Sequence, residues 1–209
     1  MSGTPRWSPD SRSIAFDSRP GGNADIYVIQ ATGGTPRRLT SEDAADVVPS
    51  WSRDGQWVYF ASNRSGAWQV WKVPAEGGAA TQVTQQGGYC PLPSPDGKFI
   101  YYTREADADG PLWRIALENG TEEMVPGFTK RTWWATWAVT DRGIYFINVA
   151  NAPPAVIEFF DFQSKSYSTI ATLDRRRGPG LSVSPDGKWI LYTQFDRSDS
   201  DIMLAENFR

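Results

Sequence analysis

Residues 49–84 read PSWSRDGQWVYFASNRSGAWQVWKVPAEGGAATQVT, and this stretch decides the fold. A Ser-Arg-Asp-Gly turn sequence is followed by two runs rich in β-branched and aromatic residues, which a glycine-containing segment separates. Residues 5–40, PRWSPDSRSIAFDSRPGGNADIYVIQATGGTPRRLT, present the same features in the same order. Two successive copies of this kind predict a protein built from repeated β-hairpins.

The turn recurs along the whole chain. Its aspartates are Asp10, Asp54, Asp96, Asp141 and Asp186. They repeat with a period of about 44 residues, which is typical of a four-stranded propeller blade. Proline presets φ, aspartate bonds its own backbone and glycine accepts a positive φ, which explains the turn. We assign the five aspartates a structural role, because one carboxylate per blade does not converge on one point.

Four kinds of strand-like run recur around the turns. The first follows it directly, at Ser13–Phe16, Trp57–Ala61, Phe99–Thr103, Ile144–Ile147 and Trp189–Thr193. The second centres at one constant distance after the aspartate in all five copies, on Ile26, Val70, Leu112, Ile157 and Ile202. The third centres at a longer constant distance after it, on Leu39, Val83, Val125 and Ile170. The fourth precedes the turn, at Val47–Ser52, Tyr89–Ser94, Trp133–Val139 and Leu181–Ser184. Several runs are apolar throughout, which indicates strands covered on both faces.

The sequence therefore predicts an all-β fold, a β-propeller with five four-stranded blades. We expect a single domain over 1–209, with repeats at about 1–43, 44–86, 87–129, 130–174 and 175–209. The outer strand of the fifth repeat would fall beyond Arg209, so the last blade lacks it and 19 strands are expected. We expect the chain to be incomplete, or a fragment of a larger propeller, and its open blade edge to favour self-association.

Composition excludes several function classes. The net charge is −3, whereas a duplex-binding domain needs a basic face, so we expect no nucleic-acid partner for this segment. There is no histidine, which removes a Ser-His-Asp triad and nearly every catalytic zinc site. One cysteine, Cys90, allows no internal disulfide. No run reaches the length of a membrane span, so we expect no membrane contact by this segment, and no metal or cofactor.

The two quoted stretches, with the Ser-Pro-Asp-Gly turns at 94–97 and 184–187, resemble TolB-like propeller repeats, also called PD40 or WD40-like repeats. Repeat 3 lacks the tryptophan before the serine, and repeat 4 lacks the proline. Residues 181–209 resemble the C-terminal end of bacterial signalling proteins in which a winged-helix regulator precedes such a propeller. The resemblance implies a non-catalytic protein- or peptide-binding module, the sensor or interaction arm of a larger regulator. A periplasmic part of a membrane-anchored parent would be consistent with it, although the segment itself names no compartment.

Three tryptophans with a neighbouring arginine are the candidate ligand or partner site: Arg131, Trp133, Trp134 and Trp137. We expect it on the innermost strand of the fourth blade, facing the central channel, with Trp133 and Trp137 on one face. Tryptophan suits stacking on a peptide or a sugar, and ordinary core packing between blades is the alternative. An acidic stretch, Glu42 to Asp46, presents a cation site or a solvated loop.

Two other functions stay open at this point. One is binding of a small ligand or carbohydrate over the tryptophans of the channel face. The other is a glycosidase-like propeller enzyme, which needs paired carboxylates near the axis. The four inner strands predicted above contain no Asp or Glu, which disfavours the enzyme.

Overall fold

The computed structural model describes residues 2–106, 109–148, 154–175, 177–196 and 199–206. These ranges contain 19 strands. None of the described residues forms an α-helix, so no helix long and apolar enough to cross a membrane is found among them. The all-β prediction is confirmed, and so is the predicted number of strands.

The strands form five antiparallel sheets in which sequence neighbours pair. The first two sheets contain β1 (Ser2–Trp7), β2 (Ser13–Ser18), β3 (Asp25–Gln30) and β4 (Arg37–Arg38), then β5 (Asp46–Trp51), β6 (Trp57–Ser62), β7 (Gln69–Pro74) and β8 (Thr81–Gln82). The third contains β9 (Tyr89–Pro93), β10 (Phe99–Thr103), β11 (Leu112–Ala116) and β12 (Glu122–Met124). The last two contain β13 (Trp137–Val139), β14 (Gly143–Asn148), β15 (Ala155–Asp161) and β16 (Tyr167–Leu173), then β17 (Arg177–Val183), β18 (Trp189–Asp196) and β19 (Asp199–Glu206). The last sheet has three strands, as predicted.

The chain divides into two compact units. The first consists of Met1–Ala106 and Trp113–Glu123, and the second of Asp107–Leu112 and Met124–Arg209. The first unit therefore holds the first two sheets and most of the third, and the second unit holds the fourth and fifth sheets.

Each unit has apolar cores that lie between successive sheets. In the first unit, side chains of the first two sheets form one cluster: Ala15, Ile26, Val28, Leu39, Val58, Phe60 and Val73. The second and third sheets form another: Tyr59, Val70, Ile100, Tyr102 and Ile115. In the second unit the fourth and fifth sheets share Ile147, Ala155, Ile157, Leu173, Leu181 and Ile190. Both faces of the second sheet are covered, which is why its strands are apolar at successive positions.

The residues at the two constant distances from the turn aspartate are joined to each other by a backbone hydrogen bond in the first three sheets. The backbone N–H of Leu39 donates to the carbonyl of Ile26 at 2.7 Å. The same bond joins Val83 to Val70 at 2.8 Å and Val125 to Leu112 at 2.9 Å. The outer strands of the first three sheets each end one residue before the predicted centre, whereas Ile170 lies inside β16.

The inner strands share a bulge six residues before the turn aspartate. Thr4, Val48 and Cys90 have φ values of 45°, 54° and 51°, in the left-handed region that such residues rarely adopt. In β1, β5 and β9 the pairing with the next strand shifts register there. Gly180, with φ of 122°, takes this position in β17. An extra residue of this kind bends the strand and changes the direction of the side chains that follow.

The inner strand of the fourth sheet differs from the other four. It was expected over Trp133–Val139, but β13 comprises only Trp137–Val139, so that prediction is wrong for its first four residues. The turn to β14 is also shorter. The N–H of Thr140 donates to the carbonyl of Gly143, three residues later, whereas in the second sheet the N–H of Ser52 donates to the carbonyl of Trp57, five residues later. The fourth repeat therefore departs from the others at both ends of its inner strand.

Candidate binding site

A four-residue turn, Trp133–Thr136, takes the place that the bulge has in the other inner strands. We call it the Trp turn. The backbone N–H and the hydroxyl of Thr136 both donate to the carbonyl of Trp133, at 3.0 and 2.9 Å. Trp134 and Ala135 are therefore the central residues of a hydrogen-bonded β-turn. The expectation that Trp133 and Trp137 share a strand face is wrong, because Trp133 is not in a strand.

Backbone hydrogen bonds fix the Trp turn on both sides. Thr132, directly before it, exchanges two bonds of 2.9 Å with Gly110. The N–H of Ile147 in β14 donates to the carbonyl of Thr136 at 2.8 Å, and the N–H of Gly180 in β17 donates to that of Ala135 at 2.9 Å. A turn tied to three segments of the second unit is a rigid platform for its side chains.

The side chains of the Trp turn combine two aromatic rings with a nearby cation. The ring centroids of Trp133 and Trp134 are 5.0 Å apart at an interplanar angle of 51°, and both side chains are half-buried. Arg131 is exposed, and its guanidinium donates to the carbonyl of Asp109. Trp137 is only 2% exposed and belongs to the core. Of the four candidate residues, the structure therefore places three at or near the surface.

Two buried polar atoms next to the Trp turn lack a hydrogen-bond partner within the described part of the chain. They are the hydroxyl oxygen of Thr132 and the indole nitrogen of Trp137. Both residues are buried. Buried polar atoms are nearly always paired, so these two mark a local departure from ordinary core packing beside the Trp turn.

An ion pair holds Lys130, which lies three residues before the Trp turn, against β15. The ammonium of Lys130 lies 2.6 and 2.7 Å from the two carboxylate oxygens of Glu158, and the amide of Asn148 donates to one of them at 2.8 Å. Lys130 also lies 4.6 Å from the ring centre of Tyr167. Sequence reasoning missed this network, because Lys130 and Glu158 lie 28 residues apart and no motif connects them.

The turn aspartates bond within their own turns. Asp10, Asp54, Asp96 and Asp186 each accept from a serine hydroxyl two residues earlier, at 2.5 to 2.6 Å. Each also accepts from the backbone N–H two residues later, at 3.0 to 3.1 Å. The serine hydroxyl first, and then that N–H, lower the pKa of these four carboxyls below the ordinary value of 3.8. Asp141 lies in the shorter turn, which the Thr140 hydroxyl closes by donating to Gly143 at 2.9 Å.

The acidic stretch does not form one site. Glu42 and Asp43 are exposed, and Asp43 accepts from the amide of Asn23 at 2.7 Å. Asp46 is buried and pairs with Arg64 at 2.7 Å. The ranges with assigned positions contain no group of three or more Asp, Glu, Cys or His side chains arranged to hold a metal ion.

Asp46 also corrects an expectation about the inner strands. They were expected to contain no carboxylate, yet β5 begins at Asp46. It is a single carboxylate already paired with a guanidinium, and the other inner strands, as far as they are described, add none.

A cavity of about 280 Å³ lies in the first unit, beside Asp25, Tyr27 and Arg38. Arg38 and Asp25 form an ion pair at 2.6 Å across its wall. Burial raises the pKa of the Asp25 carboxyl. Because its one guanidinium is already paired with Asp25 and its lining combines no adjacent aromatic rings, this cavity is a weaker candidate than the Trp turn.

Comparison with known proteins gives one family. The model of the TolB beta propeller domain matches residues 1–127, more than half of the chain. TolB from Acinetobacter baumannii is similar over 99% of this chain and 52% of its own, with a TM-score of 0.79 and 19% identity. A candidate TolB from Agrobacterium tumefaciens is similar over 99% of this chain and 77% of its own, with a TM-score of 0.77 and 19% identity.

An enzyme shares the fold as well. An oligogalacturonate lyase from Vibrio parahaemolyticus matches 96% of this chain and 73% of its own, with a TM-score of 0.62 and 12% identity. Likeness at these identities concerns the fold alone. The present chain spans about half the length of the Acinetobacter TolB and about three quarters of the Agrobacterium protein.

Proposed function

Because this chain belongs to the TolB β-propeller domain family, we propose that it is a non-catalytic module that binds a protein or peptide at the Trp turn. A fold of this kind supports a protein-interaction module in general, since a rigid set of blades presents loops to a partner. The location of the site on this chain is the part that we add.

One observation carries the proposal. Four inner strands keep a common backbone with a bulge six residues before the turn aspartate, and the fourth replaces it with the Trp turn. Departures from local regularity that the surrounding structure holds in place are expected at functional sites. Here the departure coincides with two adjacent tryptophans and a surface arginine.

The side chains indicate what the partner offers. Half-buried tryptophans give large, rigid contact area at low entropic cost, and they suit proline, aromatic or aliphatic side chains of a peptide. The exposed guanidinium of Arg131 donates to the backbone carbonyl of Asp109. A guanidinium has five N–H donors, so Arg131 can also donate to a carbonyl or carboxylate of a partner. We therefore propose a peptide segment that carries an apolar or aromatic residue next to an acceptor group.

The experiment is selection from a random peptide library displayed on phage. We expect the wild-type chain to enrich a consensus that the Trp134→Ala variant no longer retains, with at least a tenfold loss of affinity, equivalent to about 1.4 kcal/mol. Trp68→Ala is the matched control, since Trp68 is also half-buried and lies in the first unit. Enrichment that survives Trp134→Ala, or is lost equally in Trp68→Ala, would contradict the proposed site.

A second candidate is carbohydrate binding at the same turn. The two adjacent, half-buried indole rings of Trp133 and Trp134 favour it, because sugar rings stack on tryptophan faces. Titration of tryptophan fluorescence against a glycan panel separates the two candidates. A saturable response to one glycan that Trp134→Ala abolishes supports the second candidate, and no response to any glycan removes it.

The larger context belongs to the proposal as well. We propose that the chain forms one propeller domain and acts as the sensor or interaction arm of a larger bacterial regulator, in the periplasmic part of a membrane-anchored parent. The complete reading frame tests this: an upstream winged-helix or kinase domain followed by a membrane span supports it. A frame that encodes a secreted enzyme would remove it.

The proposal of a non-catalytic role has its own test. A glycosidase needs two carboxylates flanking the bond, and Asp46 is one carboxylate, buried against Arg64. We expect no release of reducing or unsaturated sugar ends from oligogalacturonate or from a panel of glycosides. Turnover that Asp46→Asn abolishes would overturn the non-catalytic role.

A further inference from the structure

The first two blades have matching hairpins after their turns. β2 and β6 end eight residues after the turn aspartate, at Ser18 and Ser62, and β3 and β7 both begin fifteen residues after it. Gly22 and Gly66, twelve residues after the aspartate, both have a positive φ, of 111° and 89°. The loops between these strands can therefore be compared residue by residue.

In the second blade, this loop places an arginine over an aromatic pair. Phe60 and Trp71 are cross-strand partners in β6 and β7. The guanidinium carbon of Arg64 lies 5.5 Å from the ring centre of Phe60 and 4.9 Å from that of Trp71. The same guanidinium pairs with Asp46 at 2.7 Å. Aromatic faces and a carboxylate together stabilise a cation at this place.

The third blade fills the same place with another arginine. Trp113 follows Asp96 by seventeen residues, as Trp71 follows Asp54. The guanidinium carbon of Arg104 lies 3.2 Å from the ring centre of Trp113. Arg104 comes from an earlier position in its repeat than Arg64 does, so the arrangement recurs although the residue that supplies it differs.

The first blade has the aromatic pair without the cation. Phe16 and Tyr27 are cross-strand partners, with ring centres 5.8 Å apart at an interplanar angle of 22°. Pro20 has the position of Arg64, ten residues after the turn aspartate. Within the described part of the chain, no Lys or Arg lies over the ring of Tyr27.

The place that an arginine takes in the other two blades is an open cavity here. Pro20 and Tyr27 both line the cavity of about 280 Å³ described above. Ligand pockets usually hold about 300–1,000 Å³, so this cavity suits a single side chain or a similarly small group. The difference between the blades arises within the hairpin, because proline replaces arginine in its loop.

Two arginines of the first blade are paired with other groups. Arg19, next to Pro20 in the sequence, lies 3.7 Å from Asp17. Arg38 lines the cavity, but its guanidinium donates to the Asp25 carboxylate and to a backbone carbonyl, at 2.6 and 2.7 Å. Neither guanidinium therefore takes the place over the aromatic pair.

The charge of the lining favours a cation. Asp25, Glu42 and Asp43 contribute three carboxylates, against the one guanidinium of Arg38. Glu42 and Asp43 are exposed, and neither forms an ion pair with any residue that the structure describes. A cation that enters the cavity therefore meets an aromatic ring and two carboxylates without a counter-ion.

We propose that this cavity binds the guanidinium of an arginine side chain supplied by a protein partner, which lies over Tyr27 as Arg64 lies over Trp71. Arginine fits better than lysine, because a planar guanidinium stacks on an aromatic face, whereas an ammonium is compact and strongly hydrated. The long apolar stem of arginine lets its head enter a cavity while its backbone stays outside. The site lies in the first unit and is separate from the Trp turn.

Titration of the isotope-labelled chain with a blocked peptide, acetyl-Ala-Arg-Ala-amide, tests the proposal by NMR of the backbone amides. We expect saturable shifts at Asn23 and Ser41, which line the cavity. The peptide with lysine in place of arginine is expected to bind at least about fivefold more weakly.

One substitution supplies the guanidinium from the chain itself. Pro20→Arg gives the first blade the arginine that the second blade has, so we expect it to weaken binding of the arginine peptide at least about tenfold. Pro20→Ala is the matched control, because it removes the proline without adding a cation, and it is expected to bind like the wild type.

A second pair of variants tests the charge of the lining. Glu42→Gln is expected to weaken binding about two- to fivefold, the effect of one exposed charge. Glu118→Gln removes an exposed carboxylate outside the cavity and is expected to leave binding unchanged.

Several results would overturn the proposal. One is the absence of saturable shifts with the arginine peptide, and another is equally tight binding of the lysine peptide. A third is Pro20→Arg that binds as tightly as Pro20→Ala while circular dichroism shows both folded. Tighter binding of free arginine than of the blocked peptide would assign the cavity to an amino acid instead of a protein. If Pro20→Arg does not fold, the double variant Glu42→Gln, Asp43→Asn replaces it, and unchanged binding there would be equally contrary.

Discussion

The bulge of the inner strands predicts an unusual pair of stabilities. Val47 and Val48 are neighbours in β5, and both are buried, at 5% and 3% exposure. Val48 has φ of 54°, whereas Val47 does not have a positive φ. A β-branched residue in the left-handed region is strained, and glycine at that position removes the strain. Replacement of each valine by glycine therefore removes the same side chain but relieves strain at only one position.

The magnitude follows from three contributions. Loss of a buried valine side chain costs about 1.5–3 kcal/mol in either variant. Greater freedom of glycine in the unfolded chain adds roughly 0.5–1 kcal/mol. At Val48 the release of left-handed strain returns about 1–2 kcal/mol. Together these contributions lead us to expect that Val47→Gly lowers the free energy of unfolding by about 3 kcal/mol and Val48→Gly by about 1–2 kcal/mol.

Equilibrium unfolding in urea, followed by tryptophan fluorescence, measures both variants against the wild type. Unchanged m-values would show that the comparison concerns stability alone. A Val48→Gly variant that is as unstable as Val47→Gly, or more so, would refute the reasoning. The inner-strand bulge would then be relaxed at this residue, whatever its φ.

Three further predictions concern the titrating groups. The Ser52 hydroxyl lowers the pKa of Asp54, so the folded-state pKa of this carboxyl lies below its unfolded value. The ionised Asp54 therefore stabilises the fold above pH 3.8, and this stabilisation is lost as the pH falls through the folded-state pKa. Ser52→Ala should reduce this loss of stability at acid pH (the acid limb), which urea unfolding at a series of pH values measures. Burial raises the pKa of Cys90 to about 11, so its thiol should react with a disulfide reagent at pH 8 only when urea unfolds the chain. Lys130→Met leaves the buried carboxylate of Glu158 without its cation, and because the Lys130 side chain is 30% exposed we expect a loss of about 2–3 kcal/mol in the same unfolding assay.

Each of these three has a control and a contrary outcome. For the acid limb, Ser65→Ala removes the hydroxyl of an exposed serine that is not hydrogen-bonded to a turn aspartate, and an equal effect of both variants would contradict the role of the Ser52–Asp54 bond. For the thiol, rapid labelling of the native chain would show that Cys90 is reached without unfolding. For the ion pair, Arg142→Met breaks an exposed contact of 3.9 Å to Asp161 and should cost much less stability than Lys130→Met, because solvent screens exposed pairs. Equal costs at Lys130 and Arg142 would contradict the argument from burial.

The repeated features of this fold could be predicted because their spacing records real pairings. Ile26 and Leu39 were selected by counting from Asp10, and in the structure they are bonded partners. The three-stranded last sheet followed from the same count. Sequence spacing predicts the structure where successive blades form the same backbone hydrogen bonds.

The candidate site was predicted only in part, for the same reason. The tryptophans were identified from the sequence, but Trp133 was assigned to a strand because the other repeats have a strand at that place. The repeat pattern alone does not show where one copy has a different backbone. Valine and threonine favour strands, so nothing in their identity predicted the positive φ of Val48 and Thr4. The pairing of Lys130 with Glu158 depends on tertiary structure alone.

The bulge also bears on how such repeats diverge. Thr4, Val48, Cys90 and Gly180 have no side-chain chemistry in common, yet each holds the same place in its inner strand with a positive φ. What these blades share at this place is main-chain geometry, while the side chain differs from one copy to the next. Thr4, Val48 and Cys90 all lie within residues 1–127, the range that matches the TolB propeller family, so the likeness between these copies does not depend on the side chain at the bulge.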